Sequence, residues 1–537
     1  MAQRTILTID VGTSSTKTAV WNDQGTTLAE ATVPYSLNRP QPVWAEIDPN
    51  EWWKAISATI QQVMRQSGIR ADEIAGIGID AIGWTLIPVD EAINPLTPAM
   101  IWLDRRAGEE TAWLKSQPEA GRFINLSANP LDEAYLTPKL LWLRKHQPDI
   151  FNSAYKFLEA TGFITARFTG EFICDFTQAY GYHFFDIKNE RWDEAAAAMI
   201  GVPLQKMPRL CPTTEIVGTV TAQAAADTGL RAGIPVIAGC LDAAAGALGS
   251  GVTRPGQTNE QGGQAGGLGI SLDRIIVEPR LIFSHHVVPE QYLLAAGTVG
   301  GGSLGWFRDQ LGQLETAVSP LIQQNPFELF SRQASQSLPG ANGLIFLPYM
   351  AGERTPLWSS VARGVFFGLS YNTSRADMLR AIMEGCAFAV YDNLQIAAEH
   401  GVTVDEYLGS GGATQSAVWC QIKADVYGRP FVVAQRKDGG EGGHGLGLFA
   451  LTAHAVGLVD DIGDCVNSLL PQRRTYEPSP ANHAPYQELF QVYRSVSRKL
   501  LDDFADLDRI QRKTQKVNVS FVQPEPKWLK NAKNERL

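Results

Sequence analysis

Residues Ile6 to Trp21 (ILTIDVGTSSTKTAVW) set an aspartate at the end of one apolar, β-branched run and a lysine at the start of another. A glycine and four hydroxyl residues lie between them. Apolar runs bounded by small polar residues read as two paired strands joined by a turn. A turn built from Gly12, Thr13, Ser14, Ser15 and Thr16 exposes backbone N–H groups with almost no side chain in the way, which suits phosphate oxygens. Asp10 closes the first strand and faces the same spot, where a carboxylate holds Mg²⁺ or its waters. Lys17 adds a cationic contact. The same residues also make an ordinary hairpin with a polar turn, so this stretch alone leaves both readings open.

Two further stretches have residue types suited to a ligand. Val236-Ile237-Ala238 reads as a short buried strand. Gly239-Cys240-Leu241-Asp242 follows it, and then a run of alanines and glycines to Gly249 starts a helix. Asp242 therefore stands at the carboxyl end of a strand, where open α/β sheets place their chemistry. The glycines around it also fit a simpler role, tight helix packing. Gly409-Ser410-Gly411-Gly412-Ala413 is a flexible turn from strand into helix that could approach a flat adenine closely.

The elements that must position these residues alternate between strand and helix, the mark of an α/β fold. Asp48 caps a helix with Pro49 in its first turn, and Trp52, Trp53, Ile56, Ile60 and Val63 recur on one face of it. Ile74 to Asp80 reads as a buried strand leading to a bend at Gly83-Trp84-Thr85, and a helix with acidic residues in its first turn starts near Gly108. Residues 130–230 read as helical and loop-rich. A second unit begins at Arg254-Pro255-Gly256 and carries the glycine-rich stretches Gly262–Gly267 and Ala295–Gly302, a long helix from about Ser374 to Glu399, and a last helix from about Pro485 to Phe504. The division expected is 1–253, 254–475 and 476–537, with the polar stretch from Lys513 onward flexible.

At 537 residues the chain is too long for a single core. A net charge of −10 argues against a nucleic-acid partner, though not against a phosphate site, where the local field decides. The six cysteines are scattered singly, none at metal-ligand or CxxC spacing, which reads as reduced thiols in a cytoplasmic protein. No apolar run is long enough to span a bilayer, so no membrane partner is expected. His183, His285, His286 and His444 show no ligand spacing and read as structural or surface residues.

Taken in this order, the stretches resemble the FGGY carbohydrate kinases, within the actin-like and hexokinase-like ATPase superfamily. The resemblance runs from about Ile6 to Gly457. Its strongest part is Gly364-Val-Phe-Phe-Gly-Leu369, a spacer of seven, then Asp377-Met and Ala381-Ile-Met-Glu384, which matches the family's C-terminal pattern at every defined position. The N-terminal pattern matches only in Lys139-Leu-Leu-Trp142-Leu-Arg-Lys-His146, with Ala134 and Leu136 departing upstream. The resemblance implies two RNase H-like domains flanking a cleft in which ATP, Mg²⁺ and a small sugar or polyol meet. It assigns Asp242 as the general base and Asp10 as the metal-associated aspartate. The nucleotide is expected along Gly12, Thr13, Ser14, Lys17, Gly263, Gln264, Gly301, Gly411, Gly412 and Ala413.

Two departures concern the substrates. Gly263-Gln264-Ala265 stands where xylulose kinases of the family carry Gly-Thr-Ser, so the glycine stays, the hydroxyls go, and Gln264 offers an amide in their place. Gly83-Trp84 stands where those enzymes carry Met-His and glycerol kinases carry Arg-Glu, so this motif assigns neither sugar. Trp84 is expected as a wall of the sugar pocket, with ordinary core as the other reading. Asp104, in Trp102-Leu-Asp-Arg-Arg106, is expected near the sugar or as a helix cap. The functional expectation is a kinase for a terminal hydroxyl of a pentulose such as xylulose or ribulose. A polyol kinase, or a non-catalytic sugar or nucleotide sensor on the same scaffold, is the alternative. A homodimer is a common state for enzymes of this kind.

Overall fold

The computed structural model describes residues 4–263, 265–437, 440 and 442–518 of the chain. In the first lobe the run Thr5–Val11 (β1) folds back on Ser15–Asn22 (β2), which pairs antiparallel with Thr27–Pro34 (β3). The helix Pro49–Ser67 (α1) packs against β2 and β3, with Asp48 accepting a hydrogen bond from the Asn50 amide as its cap and Trp52, Trp53, Ile56, Ile60 and Val63 buried. The strand Ile74–Ala81 (β4) lies parallel to β1 on its other side. Ile216–Thr219 (β5) and Pro235–Ile237 (β6) extend the sheet beyond β4, and the two-residue strand Cys240–Leu241 (β7) pairs parallel with the end of β4. The helix Asp242–Gly249 (α2) follows directly.

The second lobe repeats this order. Gln257–Gly262 (β8) and Ala265–Leu272 (β9) form the hairpin, and Ile282–His285 (β10) and Tyr292–Val299 (β11) continue its antiparallel edge. After the long helix Arg375–Glu399 (α3), Glu406–Ser410 (β12) pairs parallel with β8. The helix Ala417–Tyr427 (α4) leads to Phe431–Gln435 (β13), parallel to β12. The first sheet runs β5-β6-β4-β1-β2-β3 and the second β10-β11-β9-β8-β12-β13 and onward. Both therefore place a three-strand antiparallel meander beside two parallel strands, the RNase H-like arrangement, used twice.

One helix of the second half crosses back. His444–Ala455 (α5) packs against β1, β4 and α2 of the first lobe. The Gly-Ile-Gly-Ile-Asp sequence of β4 is what admits it: a Cβ on Gly78 would lie 2.0 Å from Thr452 Oγ1. Where α5 meets α2 the backbones touch, and a Cβ on Gly249 would lie 1.9 Å from the carbonyl oxygen of Gly443. The described part of the chain closes with the strand Gln472–Tyr476 (β14), antiparallel to β13, and the helices Pro480–Lys499 (α6) and Leu501–Asn518 (α7).

The last helical region starts earlier and ends later than its sequence suggests, and Lys513–Asn518, expected as flexible tail, belongs to α7. The rest of that tail lies outside the described residues. Within the stretch Gly262–Gly267, expected as one glycine-rich strand, Gly262 ends β8 and Ala265–Gly267 open β9. All six cysteines are free and five are buried, Cys465 being half-buried. Among the described residues no helix is long and apolar enough to cross a membrane.

Candidate active site

Three aspartates stand at the carboxyl ends of three neighbouring parallel strands. Asp10 of β1 is in register with Asp80 of β4, and β7, whose Cys240 pairs with Asp80, delivers Asp242 one residue beyond its end as the first residue of α2. Open sheets present ligands at such strand ends. The glycine contacts between α2 and α5 do more than permit packing. They seat α5 so that its first residue, His444, reaches the same place, with Nδ1 3.6 Å from Asp10 Oδ2.

Two cavities open on this cluster, and a third adjoins the second. The first, about 240 Å³, is lined by Asp242, Trp84, Trp102, Tyr180, Thr13 and Arg354 together with the glycine-rich face of β9. The second, about 510 Å³, is lined by Asp10, Lys17, Gly262, Gly263, Gly411 and His444. Gln261 and Ala265 belong to both linings. The third, about 550 Å³, is lined by Gly263, Gly301, Gly412, Ala413, Phe327 and Trp419, and shares Gly262 and Gly263 with the second. Side by side they offer room for a small polar molecule, a phosphate chain and a flat aromatic ring, in that order.

The first cavity has an aromatic wall. Trp84 is buried, its ring centroid 4.5 Å from that of Tyr135 and 5.9 Å from that of Tyr180. Its backbone is in the left-handed region at φ 51°, and the Lys139 ammonium holds its carbonyl at 2.7 Å and that of Ile101 at 2.7 Å. Trp84 is thus both wall and core. Aromatic faces of this kind pack against the C–H groups of a sugar.

Other expected residues fall elsewhere. Asp104 is fully buried and lines none of these cavities: its carboxylate accepts from the Ala45 amide at 2.7 Å and from Arg106 at 2.6 and 2.8 Å. It is no helix cap either, since the next helix, Gly108–Ser116, has Ala107 at its cap. Its work is to fold Arg106 back over the Trp44 ring, 3.6 Å from its centroid. In the first turn, the Gly12 amide donates to the Ser15 carbonyl at 3.0 Å, closing the turn on itself, and Ser14 is exposed. Thr13 turns to the first cavity, its hydroxyl accepting from Trp102 Nε1 at 2.9 Å. Lys17 lines the second cavity while paired with Glu30 at 2.8 Å. Gln264 lies outside the described residues.

His444 is the correction in the other direction. His183 and His286 are structural, each buried against a carbonyl, but His444 stands in the cleft. Its sequence neighbours, Gly442, Gly443 and Gly445, read only as a loop, and the signal that could have found it is the glycine spacing of β4, which demands a close helix.

Electrostatics follow from the crowding. Burial pushes Asp242 up to about 6, with Asp10 adding to the rise and His444 and Arg354 pulling against it. Burial works against the Asp10 charge as well, but His444, a hydrogen bond from the protonated form of Asp80 and, least, Lys17 outweigh it and hold Asp10 below the usual carboxylate range. Asp80, fully buried beside Asp10, is pushed well above it by desolvation and the neighbouring charge. Burial opposes the His444 imidazolium, yet Asp10, Asp80 and Asp242 raise it to about 10. An acid limb is therefore expected for any reaction in which Asp242 takes a proton: turnover should fall as pH drops through about 6. A profile flat between about pH 5 and 8 would remove Asp242 from that role.

The negative potential that holds this imidazolium is also what a metal cation would feel. Both carboxylate oxygens of Asp80 are buried without a hydrogen-bond donor, and Asp10, Asp80 and His444 each offer a ligand atom within 4.8 Å of the others. Hard carboxylate oxygens suit a divalent ion, so the donors present fit one.

Comparison with known proteins agrees with this geometry. The family description "FGGY family of carbohydrate kinases, N-terminal domain" matches residues 5–249, and its C-terminal counterpart matches residues 280–453. The xylulose kinase of Escherichia coli is 29% identical over 92% of this chain and 98% of its own length. The gluconokinase of Bacillus subtilis is 25% identical over 94% of this chain and 98% of its own. The crystal structure of xylulose kinase from Rhodospirillum rubrum superimposes with a TM-score of 0.82 at 28% identity, covering 94% of this chain and all of that one.

Proposed function

We propose that this chain, which belongs to the FGGY family of carbohydrate kinases, transfers the terminal phosphoryl group of ATP to a terminal hydroxyl of a small sugar, with a pentulose such as xylulose or ribulose as its substrate class. The observation that carries the reading is the position of Asp242, in the wall of the small cavity that shares Gln261 and Ala265 with the one lined by Asp10 and the glycine turns. A sugar hydroxyl is a poor nucleophile until its proton has somewhere to go, and a carboxylate at this point takes it as the oxygen attacks phosphorus. Trp84, Tyr180 and Trp102 orient the sugar by its apolar face. Gly262, Gly263 and Gly411 line the path of the phosphates, and Gly301, Gly412 and Ala413 that of the adenosine.

Asp10 and Asp80 would hold Mg²⁺, which when bound supplies positive charge to the phosphate oxygens. Closure of the two lobes on their ligands excludes water, the competing acceptor. The reading also takes residues 1–253 and 254–475 as the lobes, with 476–537 as an appended segment, in a cytoplasmic enzyme that pairs as a homodimer.

The test is ADP release across a panel of xylulose, ribulose, hexuloses, tetritols, glycerol and gluconate. Turnover with a pentulose above all others is the result expected. Turnover only with a polyol or with gluconate would move the substrate class, and silence across the panel in the presence of bound nucleotide would make the protein a sensor.

A further inference from the structure

We propose that Asp10, Asp80 and His444 form a protein-built site for a divalent first-row transition ion, one that loads before any nucleotide arrives. Two observations carry this. The first is the donor set itself: a carboxylate oxygen from each of two adjacent parallel strands and an imidazole nitrogen from the first residue of α5, all within 4.8 Å of one another. Donors around an octahedral ion at about 2.1 Å stand roughly 3 to 4.3 Å apart, a range that already includes the 3.6 Å between His444 Nδ1 and Asp10 Oδ2. The second is Asp80. It is fully buried, neither of its carboxylate oxygens has a hydrogen-bond donor, and it stands in register with Asp10. A buried carboxylate left this way costs free energy unless a cation or a proton meets it.

The site is also built to keep the imidazole in place. A Cβ on Gly246 would lie 2.6 Å from His444 Cδ2 and 2.8 Å from its Nε2, so α2 carries a glycine where the ring passes. With Nε2 against α2 and Nδ1 toward Asp10, the ring presents one nitrogen to the carboxylates. Carboxylate and water ligands alone suit Mg²⁺ and Mn²⁺, whereas an imidazole nitrogen shifts preference toward later first-row ions such as Fe²⁺, Ni²⁺ and Zn²⁺, with Mn²⁺, the weakest of that series, serving as their paramagnetic stand-in. Three protein ligands also remove the need for phosphate oxygens to complete the first attachment, so the ion stays without ATP. The inference does not depend on which sugar, if any, accepts phosphate in the neighbouring cavity.

Manganese is the probe. Titrating the nucleotide-free full-length chain with Mn²⁺, followed by electron paramagnetic resonance, is expected to show one tightly held ion per chain. Pulsed spectra should carry the nitrogen-14 coupling of a directly bound imidazole. Mg²⁺ should displace the ion only at about tenfold higher concentration or more. His444→Gln should abolish the nitrogen coupling, and it and Asp80→Asn should each weaken Mn²⁺ by about tenfold or more, with far-ultraviolet circular dichroism confirming that the variants fold. The wild-type spectrum decides the matter even if a variant fails to fold. No bound Mn²⁺ in the absence of nucleotide would leave His444 as an imidazolium counter-ion only and overturn the proposal. Bound Mn²⁺ lacking nitrogen coupling, or displaced by equal Mg²⁺, would do the same.

Discussion

Asp242→Asn is expected to lower kcat by roughly 10²–10⁴-fold, the usual worth of a positioned general base. ATP affinity should stay within about threefold of the parent, because the side chain lines the sugar cavity and not the two cavities assigned to nucleotide. Asparagine keeps the size of the side chain and can still accept the Ala243 amide, which Asp242 accepts at 2.6 Å, so α2 should start as before. What it lacks is a basic oxygen. Rapid-quench measurement of the chemical step, paired with nucleotide binding by calorimetry, separates the two effects. A variant that keeps most of its rate would show that the sugar proton leaves by another route. One that loses rate and ATP binding together would show that the substitution has disturbed the cleft.

The second large effect concerns the scaffold. Glu384 of α3 is buried and accepts from Arg380 Nε at 2.7 Å, the Tyr486 hydroxyl at 2.6 Å and the Gly340 amide at 2.9 Å. Burial holds its carboxyl above the usual range in spite of Arg380, so the ion pair is no great stabiliser in itself. Removing one partner is another matter, because the Arg380 guanidinium stays buried without its anion. Glu384→Ala is expected to cost about 3–5 kcal/mol in urea unfolding, and replacing both residues by apolar ones should cost less than this single change. A loss below about 1 kcal/mol would mean that water reaches Arg380 once the carboxylate is gone.

These two residues also divide what the amino-acid sequence reveals from what it does not. The pattern around Asp377 and Glu384 carries the resemblance to the kinases, yet both residues act as scaffold. Asp377 closes a capping box with Ser374 at the start of α3, and Glu384 ties α3 to α6. Asp10 and Asp242 are legible because each ends an apolar run just before a turn or helix start, a break visible within a few residues. The repeated strand order of the two lobes is legible for the same reason, since both halves open with a strand, a small-residue turn and a second strand.

His444 is hidden because nothing local marks it. It becomes a cleft residue only when α5 settles onto the glycines of β4 and α2, a contact between distant parts of the chain. Asp104 misleads for the opposite reason. Its local sequence offers a free carboxylate, and only the fold turns Arg106 and the Ala45 amide onto it. The first turn has the residue types of a phosphate loop, but the hydrogen bond from Gly12 to Ser15 uses one of the amides that a phosphate would need.

The most direct test of the cleft as a phosphoryl-transfer site is phosphorus NMR of a reaction containing ATP, Mg²⁺ and xylulose. A phosphomonoester resonance split by two methylene protons should grow with the wild-type chain, placing the new bond on a terminal hydroxyl, and grow roughly 10²–10⁴-fold more slowly with Asp242→Asn. Accumulation of inorganic phosphate alone, with the sugar unchanged, would contradict it.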